Sequence, residues 1–274
     1  MSPAVSIIIP CYDHGRFLPE SIESVEKCPP GLCELIVVDD GSTDAETRDL
    51  LDKLAAAGYS VIRQVNKGVG AARNTGIRAS SGKFILPLDS DNKIRPRFLE
   101  QALEVLIRDE SIGVVYGDMQ YFGSLDFRAT VPRFDITEML FLNYIDACAM
   151  FRRTVWEEVG GYDENMPRQG VEDWEFWLSA YSLGWKFEHI DEIAQDYRAV
   201  DGSMLQKLKE GENYLLCKEY VFRKHPDLVK VHYDRLASWE YHGRQLRSRP
   251  FYAMFRLVLS ALFPKLHDRR YKRQ

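Results

Sequence analysis

Two carboxylates separated by one residue, Asp89 and Asp91, follow a short apolar run that ends at Leu88. A run of that length between polar segments is typical of a buried strand, so both side chains are predicted at the carboxyl edge of a sheet, where open α/β folds bind ligands. Carboxylates at this spacing can converge on one hard cation, and Mn²⁺ or Mg²⁺ would suit them, with phosphate oxygens completing the coordination. Alone, Asp-x-Asp is more commonly a solvated turn, so the assignment depends on its surroundings.

Three other polar segments follow predicted strands in the same way. They are Pro10-Cys-Tyr12, Asp39-Asp40-Gly41-Ser42, and Asn66-Lys67-Gly68 with Gly70 and Arg73. Each alone has an ordinary explanation as a strand end, a capping turn or a solvated side chain, and the glycine segment lacks the third glycine of the dinucleotide-binding pattern. Together with the Asp-x-Asp segment they describe one pocket. It offers an aromatic ring for a flat base, a carboxylate for the base or the ribose, acids for a metal, and positive charge from Lys67 and Arg73.

The elements that must position these side chains alternate strictly in the first part of the chain. Strands are predicted over 5–9, 35–38, 61–65, 84–88 and 114–116, and helices over 16–27, 45–57, 70–79 and 96–108. This alternation predicts an α/β fold with a doubly wound, mostly parallel sheet and helices on both faces.

The alternation ends after Gly117. Residues 118–131 are predicted as an outlying strand or hairpin, 147–151 and 186–190 as strands, and 154–159 and 172–183 as helices, the first of them capped by Thr154. From Met204 the sequence is helical and charged. We therefore predict one α/β domain over 1–203, in which the pattern changes at about residue 117, and a helical C-terminal extension over 204–274.

Five stretches, in this order and spacing, resemble the family 2 glycosyltransferases, a large inverting family with the GT-A fold. They are Val5-Ser-Ile-Ile-Ile-Pro-Cys-Tyr12, Val37-Val-Asp-Asp-Gly-Ser-Thr-Asp44, Lys67-Gly-Val-Gly-Ala-Ala-Arg-Asn-Thr-Gly76, Leu86-Pro-Leu-Asp-Ser-Asp91 and Gly170-Val-Glu-Asp-Trp174. The resemblance covers residues 4–203, and the joint occurrence is far more specific than any one motif. It implies a catalytic domain of the GT-A type over 1–203, with a nucleotide-sugar half at about 1–117 and an acceptor half at about 118–203.

The resemblance also implies roles for single residues. Tyr12 and Asp40 would hold the nucleobase, while Asp89 and Asp91 would bind the ribose and a Mn²⁺ or Mg²⁺ ion that grips the diphosphate. Further contacts to the nucleotide sugar are expected from the matching stretches and from the segment Tyr197–Ser203, which resembles the diphosphate-binding end of the family's domain; they are Pro10, Lys67, Arg73, Ser90 and Arg198. Many relatives place a histidine in that last segment. This chain has no histidine there. Asp201 could supply the further metal ligand in its place, and a solvated side chain is the ordinary explanation of Asp201.

The pair Glu172-Asp173 precedes Trp174. In the family, an acid of this pair deprotonates the acceptor hydroxyl, and the resemblance assigns that role to Asp173, with Glu172 beside it. The ordinary explanation is two acids favoured by the helix dipole in a first turn.

The residues together predict an inverting, metal-dependent glycosyltransferase that moves a sugar from a nucleotide diphosphate sugar to a hydroxyl of a glycan or lipid-linked acceptor. A uridine or thymidine diphosphate sugar is expected, with UDP ahead of thymidine diphosphate, because Tyr12 offers a flat face and Asp40 an acceptor for a pyrimidine imide N–H. Two alternatives remain, a sugar nucleotidyltransferase and a sugar-nucleotide-binding module without turnover. The first would carry a more basic glycine-rich loop after the first strand than this chain has.

Composition and the C-terminal tail bear on location and partners. A net charge of −5 gives no indication of nucleic-acid binding, and five scattered cysteines without a C-x-x-C pair favour reduced thiols in the cytoplasm. The sequence predicts neither a signal peptide nor a transmembrane helix. The basic amphipathic tail over 250–274 suits either peripheral contact with an anionic membrane or packing on the catalytic domain. The oligomeric state is not indicated.

Overall fold

A computed structural model of the protein describes residues 3–200, 208 and 212–248. The chain divides into two compact units, Met1–His225 and Pro226–Gln274. The first contains the sheet and every predicted site residue. Of the second, the structure describes one helix, Pro226–Ser248. The basic amphipathic tail over 250–274, with its two alternatives of membrane contact and packing on the domain, and Asp201 lie outside the described residues.

One mixed sheet of nine strands organises the described part of the first unit. The strands are β1 (Val5–Cys11), β2 (Cys33–Asp39), β3 (Ser60–Arg63), β4 (Phe84–Pro87), β5 (Lys93–Ile94), β6 (Ile112–Gly123), β7 (Phe127–Ala129), β8 (Met150–Arg152) and β9 (Lys186–Ala199). Their order is β3-β2-β1-β4-β8-β6-β9-β5, with β7 paired to β6. Because β1, β2, β3 and β4 pair in parallel, their carboxyl ends share one edge.

Helices cover both faces of this sheet, as predicted. The first unit contains α1 (Leu18–Glu26), α2 (Ala45–Ala56), α3 (Val69–Ala79), α4 (Pro96–Arg108), α5 (Ile136–Phe141), α6 (Arg153–Val159), α7 (Glu172–Ser182) and α8 (Asn213–Lys224), and α9 (Pro226–Ser248) belongs to the second unit. Val5, Ile7 and Ile9 of β1 pack in one core with residues of α1, α2 and α4. On the opposite face, α3 approaches so closely that a Cβ on Gly76 would stand 2.4 Å from Cγ2 of Ile8.

Two strands are much longer than predicted. The pattern predicted 114–116 and 186–190, whereas β6 covers Ile112–Gly123 and β9 covers Lys186–Ala199. They pair with each other in parallel along most of their length. Most residues of their distal halves are only half-buried, and polar residues such as Asp118 and Gln195 interrupt the apolar ones, so no apolar run marks these halves in the sequence.

Three smaller features also differ from the prediction. α5 was not predicted, because six residues are too few to show helical periodicity, although Asp135 caps it by accepting from the N–H of Thr137 at 2.7 Å. Thr154 is not the cap of α6, which begins at Arg153. β3 ends at Arg63 instead of residue 65, because the chain there turns toward Asp40.

No helix within the described ranges has both the length and the apolar character needed to cross a membrane.

Candidate active site

The four predicted loop segments lie together at the carboxyl edge of β1–β4. Pro10 is buried within β1, and the carbonyl of Cys11, the last residue of that strand, accepts from the N–H of Asp40 at 2.8 Å. Leu88, the residue before Asp89, bonds to β1 on the other side through its N–H at 2.9 Å. The parallel pairing therefore brings Tyr12, the pair Asp39-Asp40 and the Asp-x-Asp segment to the same edge of the sheet.

Asp13 ties the loop that carries Tyr12 to the loop that follows β2. Its Oδ1 accepts from the N–H groups of Thr43 at 2.7 Å and Asp44 at 2.8 Å. The bond from Asp44 is the largest cause holding the pKa of Asp13 below its ordinary value. Asp13 has φ +53°, a conformation that few residues besides Gly, Asn and Asp adopt. Tyr12 beside it remains 46% exposed, so its ring is accessible to a ligand.

Asp40 is buried and receives three hydrogen bonds from the third loop. Its Oδ1 accepts from Nε2 of Gln64 at 2.7 Å and from the N–H of Lys67 at 2.9 Å, and its Oδ2 accepts from the N–H of Gly68 at 2.8 Å. A carboxylate has about four acceptor positions, so one position on Oδ2 remains for a ligand.

The structure brings the backbone of Lys67 to the site and leaves its side chain exposed. Gly68 beside it has φ +93°, and a Cβ there would stand 2.5 Å from the side-chain amide of Gln169. Glycine is therefore favoured at this position because L side chains rarely adopt this φ, whereas the Gln169 side chain is flexible enough to move aside.

Arg73, on α3, joins the two groups of acids in the site. Its guanidinium is buried and pairs through Nη2 with Asp89 Oδ1 at 2.8 Å and through Nη1 with Glu172 Oε1. Its charged carbon also lies 5.5 Å from the centroid of the Tyr162 ring. Two of the neighbouring polar atoms, Arg73 Nε and the Tyr162 hydroxyl, have no hydrogen-bond partner among the described residues.

Asp91 and Arg198 lie on the other side of the Asp-x-Asp turn, whose middle residue, Ser90, is buried. Burial, followed by the charge of Asp89, raises the pKa of Asp91 to about 6, and Arg198 acts in the opposite direction. Nε of Arg198 donates to the backbone carbonyl of Asp91 at 3.0 Å, and its backbone N–H donates to Asn92 Oδ1 at 2.9 Å. Arg198 therefore holds the backbone of the turn that presents the two carboxylates.

Asp89 and Asp91 offer carboxylate oxygens alone, a donor set that fits Mg²⁺ or Mn²⁺. Across the described ranges, no three His, Cys, Asp or Glu side chains come together as a complete metal cage. A cation at this pair would therefore require ligands from outside the described residues, such as diphosphate oxygens.

Glu172 and Asp173 open α7, and their carboxylates have different hydrogen-bond partners. Glu172 is occupied on both oxygens, Oε1 by Arg73 and Oε2 by the N–H of Gly170 at 2.9 Å. Asp173 accepts two bonds on Oδ1, from Asn143 Nδ2 at 3.1 Å and from the N–H of Trp174 at 2.8 Å. Burial, and then the charge of Glu172, raise the pKa of Asp173 well above its ordinary value, against the opposing charge of Arg73.

Two residues that the sequence did not indicate also face these acids. Asp146 is half-buried and accepts from Nε2 of Gln195 at 2.6 Å, and burial followed by the charge of Asp89 raises the pKa of Asp146 to about 6. Oε1 of Gln195 is buried without a partner among the described residues. Neither position carries a signal in the sequence, because Asp146 lies in a loop and Gln195 in the polar part of β9.

Lys224 at the end of α8 and His225 after it form ion pairs with Glu175 of α7. Nζ of Lys224 lies 2.9 Å from Glu175 Oε1 and 2.7 Å from Asp163 Oδ2, and Nε2 of His225 lies 3.1 Å from the same Glu175 oxygen. Burial alone would raise the pKa of Glu175. The hydrogen bonds from His225, Ser179 and Lys224 outweigh burial and hold this pKa below its ordinary value. These contacts fix α7 two residues beyond Asp173.

The amino-acid sequence is similar to a known protein family and to several glycosyltransferases. It matches the family model described as glycosyl transferase family 2 over residues 6–160. Chondroitin synthase of Escherichia coli is 27% identical over 256 residues, which cover 87% of this chain and 36% of that protein. A PGL/p-HBAD biosynthesis glycosyltransferase of Mycobacterium bovis is 32% identical over 186 residues, which cover 66% of this chain and 71% of that protein. The chain spans about a third of the length of the first curated relatives it matches.

Among solved structures, residues 1–349 of S. aureus TarS in complex with UDP-GlcNAc resemble this chain with a TM-score of 0.64. The likeness covers 79% of this chain and 64% of that one, at 20% sequence identity. A likeness at this identity concerns the fold, and it confirms the predicted GT-A architecture.

Proposed function

Because the chain belongs to glycosyltransferase family 2, we propose that it transfers a sugar from a nucleoside diphosphate sugar, with UDP as the nucleotide, to a hydroxyl of a glycan or lipid-linked acceptor, with inversion at the anomeric carbon. The observation that carries the proposal is the buried guanidinium of Arg73, which pairs with Asp89 and with Glu172. It joins the acids proposed for the donor to the acid pair proposed for the base. The chondroitin synthase relative and the UDP-GlcNAc bound by TarS support a nucleotide-sugar donor.

The nucleobase would bind between Tyr12 and Asp40. The exposed ring of Tyr12 offers a stacking surface, and the remaining acceptor position of Asp40 suits an imide N–H such as that of uracil. The three hydrogen bonds that Asp40 already accepts fix its carboxylate, so little conformational entropy is lost when the base binds.

The diphosphate would lie over the Asp-x-Asp turn. Asp89 and Asp91 would hold a Mn²⁺ or Mg²⁺ ion, which when bound supplies positive charge that stabilises the departing diphosphate. Arg198 supports this site by fixing the turn through the Asp91 carbonyl, and the exposed ammonium of Lys67 adds positive charge at the same edge. Ser90 and Pro10 are buried and would form the floor of the diphosphate site.

Asp173 would act as the base. The acceptor oxygen forms its bond to the anomeric carbon as the bond from that carbon to the diphosphate oxygen breaks, and the electron pair leaves with UDP. The acceptor's proton passes to Asp173, whose two hydrogen bonds from described residues both fall on Oδ1, leaving Oδ2 to receive it. A raised pKa makes Asp173 a better proton acceptor than an ordinary carboxylate. Glu172 would orient Arg73 instead, since both of its oxygens are occupied.

The proposal is tested on the full chain with UDP, GDP and UDP-GlcNAc, each with and without Mn²⁺. We expect UDP to raise the melting temperature more than GDP, and one or more UDP-sugars to be turned over with release of UDP. Asp173→Asn should lose at least about a hundredfold in single-turnover rate while donor affinity changes little. Glu172→Gln is the matched variant, and we expect it to lose less.

Other outcomes would select an alternative. Donor binding without UDP release in any acceptor mixture would indicate a binding module. Release of pyrophosphate from UTP and a sugar 1-phosphate would indicate a nucleotidyltransferase. Normal turnover by Asp173→Asn together with an inactive Glu172→Gln would transfer the role of base to Glu172.

A further inference from the structure

Two of the five cysteines, Cys28 and Cys33, are hydrogen-bonded to each other. Cys28 follows α1 and Cys33 opens β2, so only a short turn separates them. The thiol of Cys33 donates to the sulfur of Cys28. Both thiols are reduced in this structure. Because the two sulfurs are already in contact, a small movement of the side chains brings them to the S–S bond length of about 2 Å.

The turn between the two cysteines is closed by its own backbone. The N–H of Leu32 donates to the carbonyl of Pro29 at 3.2 Å, and Gly31 between them has φ +76°. The N–H of Cys28 donates to the carbonyl of Val25 in the last turn of α1 at 3.0 Å. The chain on both sides of the pair is therefore fixed, and closing a ring here costs little further conformational entropy.

The same turn is open to solvent. Pro30 and Gly31 are exposed, and a Cβ built on Gly31 would meet no described atom beyond its chain neighbours within 4 Å. Cys33 is half-buried and Cys28 is buried beneath it. A small molecule can therefore approach the pair through the turn.

The pair also differs from the other cysteines in acidity. The hydrogen bond from Cys33 lowers the pKa of the Cys28 thiol, against the effect of burial, and the same bond, followed by burial, raises the pKa of Cys33. Burial raises the pKa of Cys11 to about 12, and it also raises the pKa of Cys148 and of Cys217. The thiolate is the form that attacks a disulfide, so exchange is favoured at Cys28 over the three distant cysteines.

We propose that Cys28 and Cys33 form a reversible disulfide by exchange with a low-molecular-weight disulfide such as oxidised glutathione. The thiolate of Cys28 attacks one sulfur of the oxidant, whose S–S bond breaks and releases one thiolate. Cys33 then loses its proton, and its sulfur attacks Sγ of Cys28 and releases the second thiolate. The released thiolates take up the two protons that the cysteines lost, so the pair is oxidised and the oxidant is reduced to two thiols.

The proposed disulfide lies at the opposite end of β2 from the candidate active site. Cys33 pairs with Val5 at the start of β1, whereas Asp39 pairs with Cys11 at its end. The strand from Cys33 to Asp39 corresponds to about 20 Å. The inference therefore concerns a second site, and it does not depend on the proposed function.

The test equilibrates the full chain with mixtures of reduced and oxidised glutathione, in native buffer and in denaturing urea. Thiols are then alkylated and counted by mass, and the link is located in the tryptic peptide over residues 28–48, which contains both cysteines. We expect three alkylated cysteines instead of five and a loss of two hydrogens in that peptide. The oxidised fraction should depend on the square of the reduced glutathione concentration divided by the oxidised concentration. Because the fold holds the sulfurs together, the effective concentration of the pair should be about tenfold or more higher in native buffer than in urea.

Variants identify the two sulfurs. Cys28→Ser and Cys33→Ser should each abolish the loss of two hydrogens. Cys217→Ala, which removes a buried thiol on α8, is the matched control and should retain the link. Five alkylated cysteines at every glutathione ratio, a mixed disulfide with glutathione as the sole product, a link to another cysteine, or an equal effective concentration in urea would each overturn the inference.

Discussion

Replacing Arg73 by Met removes the cation that joins the two groups of acids and keeps much of the side-chain volume. Glu172 then remains with a side chain only 4% exposed and no guanidinium on Oε1. Breaking a buried ion pair from one side costs about 3–5 kcal/mol, because the remaining charge is left uncompensated. The partner Asp89 is 35% exposed, so water screens it and its lost pair adds only about 0–1 kcal/mol. Arg73 Nε has no partner among the described residues, and removing that unsatisfied group offsets part of the loss. We expect a net destabilisation of about 3 kcal/mol at pH 7.

The assay is urea unfolding followed by tryptophan fluorescence, since Trp174 and Trp177 are buried on α7. The matched control is Arg97→Met, whose arginine is 74% exposed and pairs with Glu192 at 3.0 Å; its loss should cost about 0–1 kcal/mol. In the double variant Arg73→Met/Glu172→Gln the stranded charge is gone, so the double variant should be more stable than the sum of the single changes predicts. A loss below about 1 kcal/mol in Arg73→Met, or strict additivity in the double variant, would refute the reasoning.

Three further predictions concern turnover and donor binding. The base accepts a proton only when it is deprotonated, and burial raises the pKa of Asp173, so turnover should increase with pH around an apparent pKa above the ordinary Asp pKa of about 4. An apparent pKa at that ordinary value would contradict the assignment of Asp173 as the base. Excess EDTA and Asp91→Asn should each remove turnover and Mn²⁺-dependent UDP binding, and full activity in EDTA would exclude the proposed metal. Tyr12→Ala should weaken UDP binding on the order of tenfold without changing the melting temperature, because the ring is 46% exposed; unchanged UDP affinity would remove Tyr12 from the base site.

The donor side of the site was predictable because its residues follow strands in the sequence. An apolar run ending at Leu88 predicts where Asp89 and Asp91 emerge, and parallel pairing of neighbouring strands brings Tyr12 and Asp40 to the same edge. The fold class follows from the same alternation. The roles of the individual residues stay predictions until they are tested.

The rest depends on contacts between distant parts of the chain. Arg73 and Glu172 are 99 residues apart, and no local sequence pattern predicts that they form an ion pair. Asp146 approaches Asp89 because β8 pairs beside β4, a pairing that no local pattern specifies. For the same reason the sequence did not reveal the length of β9, whose polar residues are stabilised by pairing with β6 and not by a continuous apolar run.

The position of β8 determines how this catalytic unit can be divided. β8 lies between β4 and β6, although it is made from residues 150–152, and β9 then pairs along β6. When only residues 1–117 have left the ribosome, one edge of β4 is therefore unpaired, and β8 fills that edge only after residues 150–152 have emerged. A chimera joined at residue 117 would cut within β6 and would place a foreign strand beside β4. Exchange of acceptor preference between relatives is thus expected to succeed by replacing loops around an intact sheet, and recombination of whole halves is expected to yield chains that do not fold.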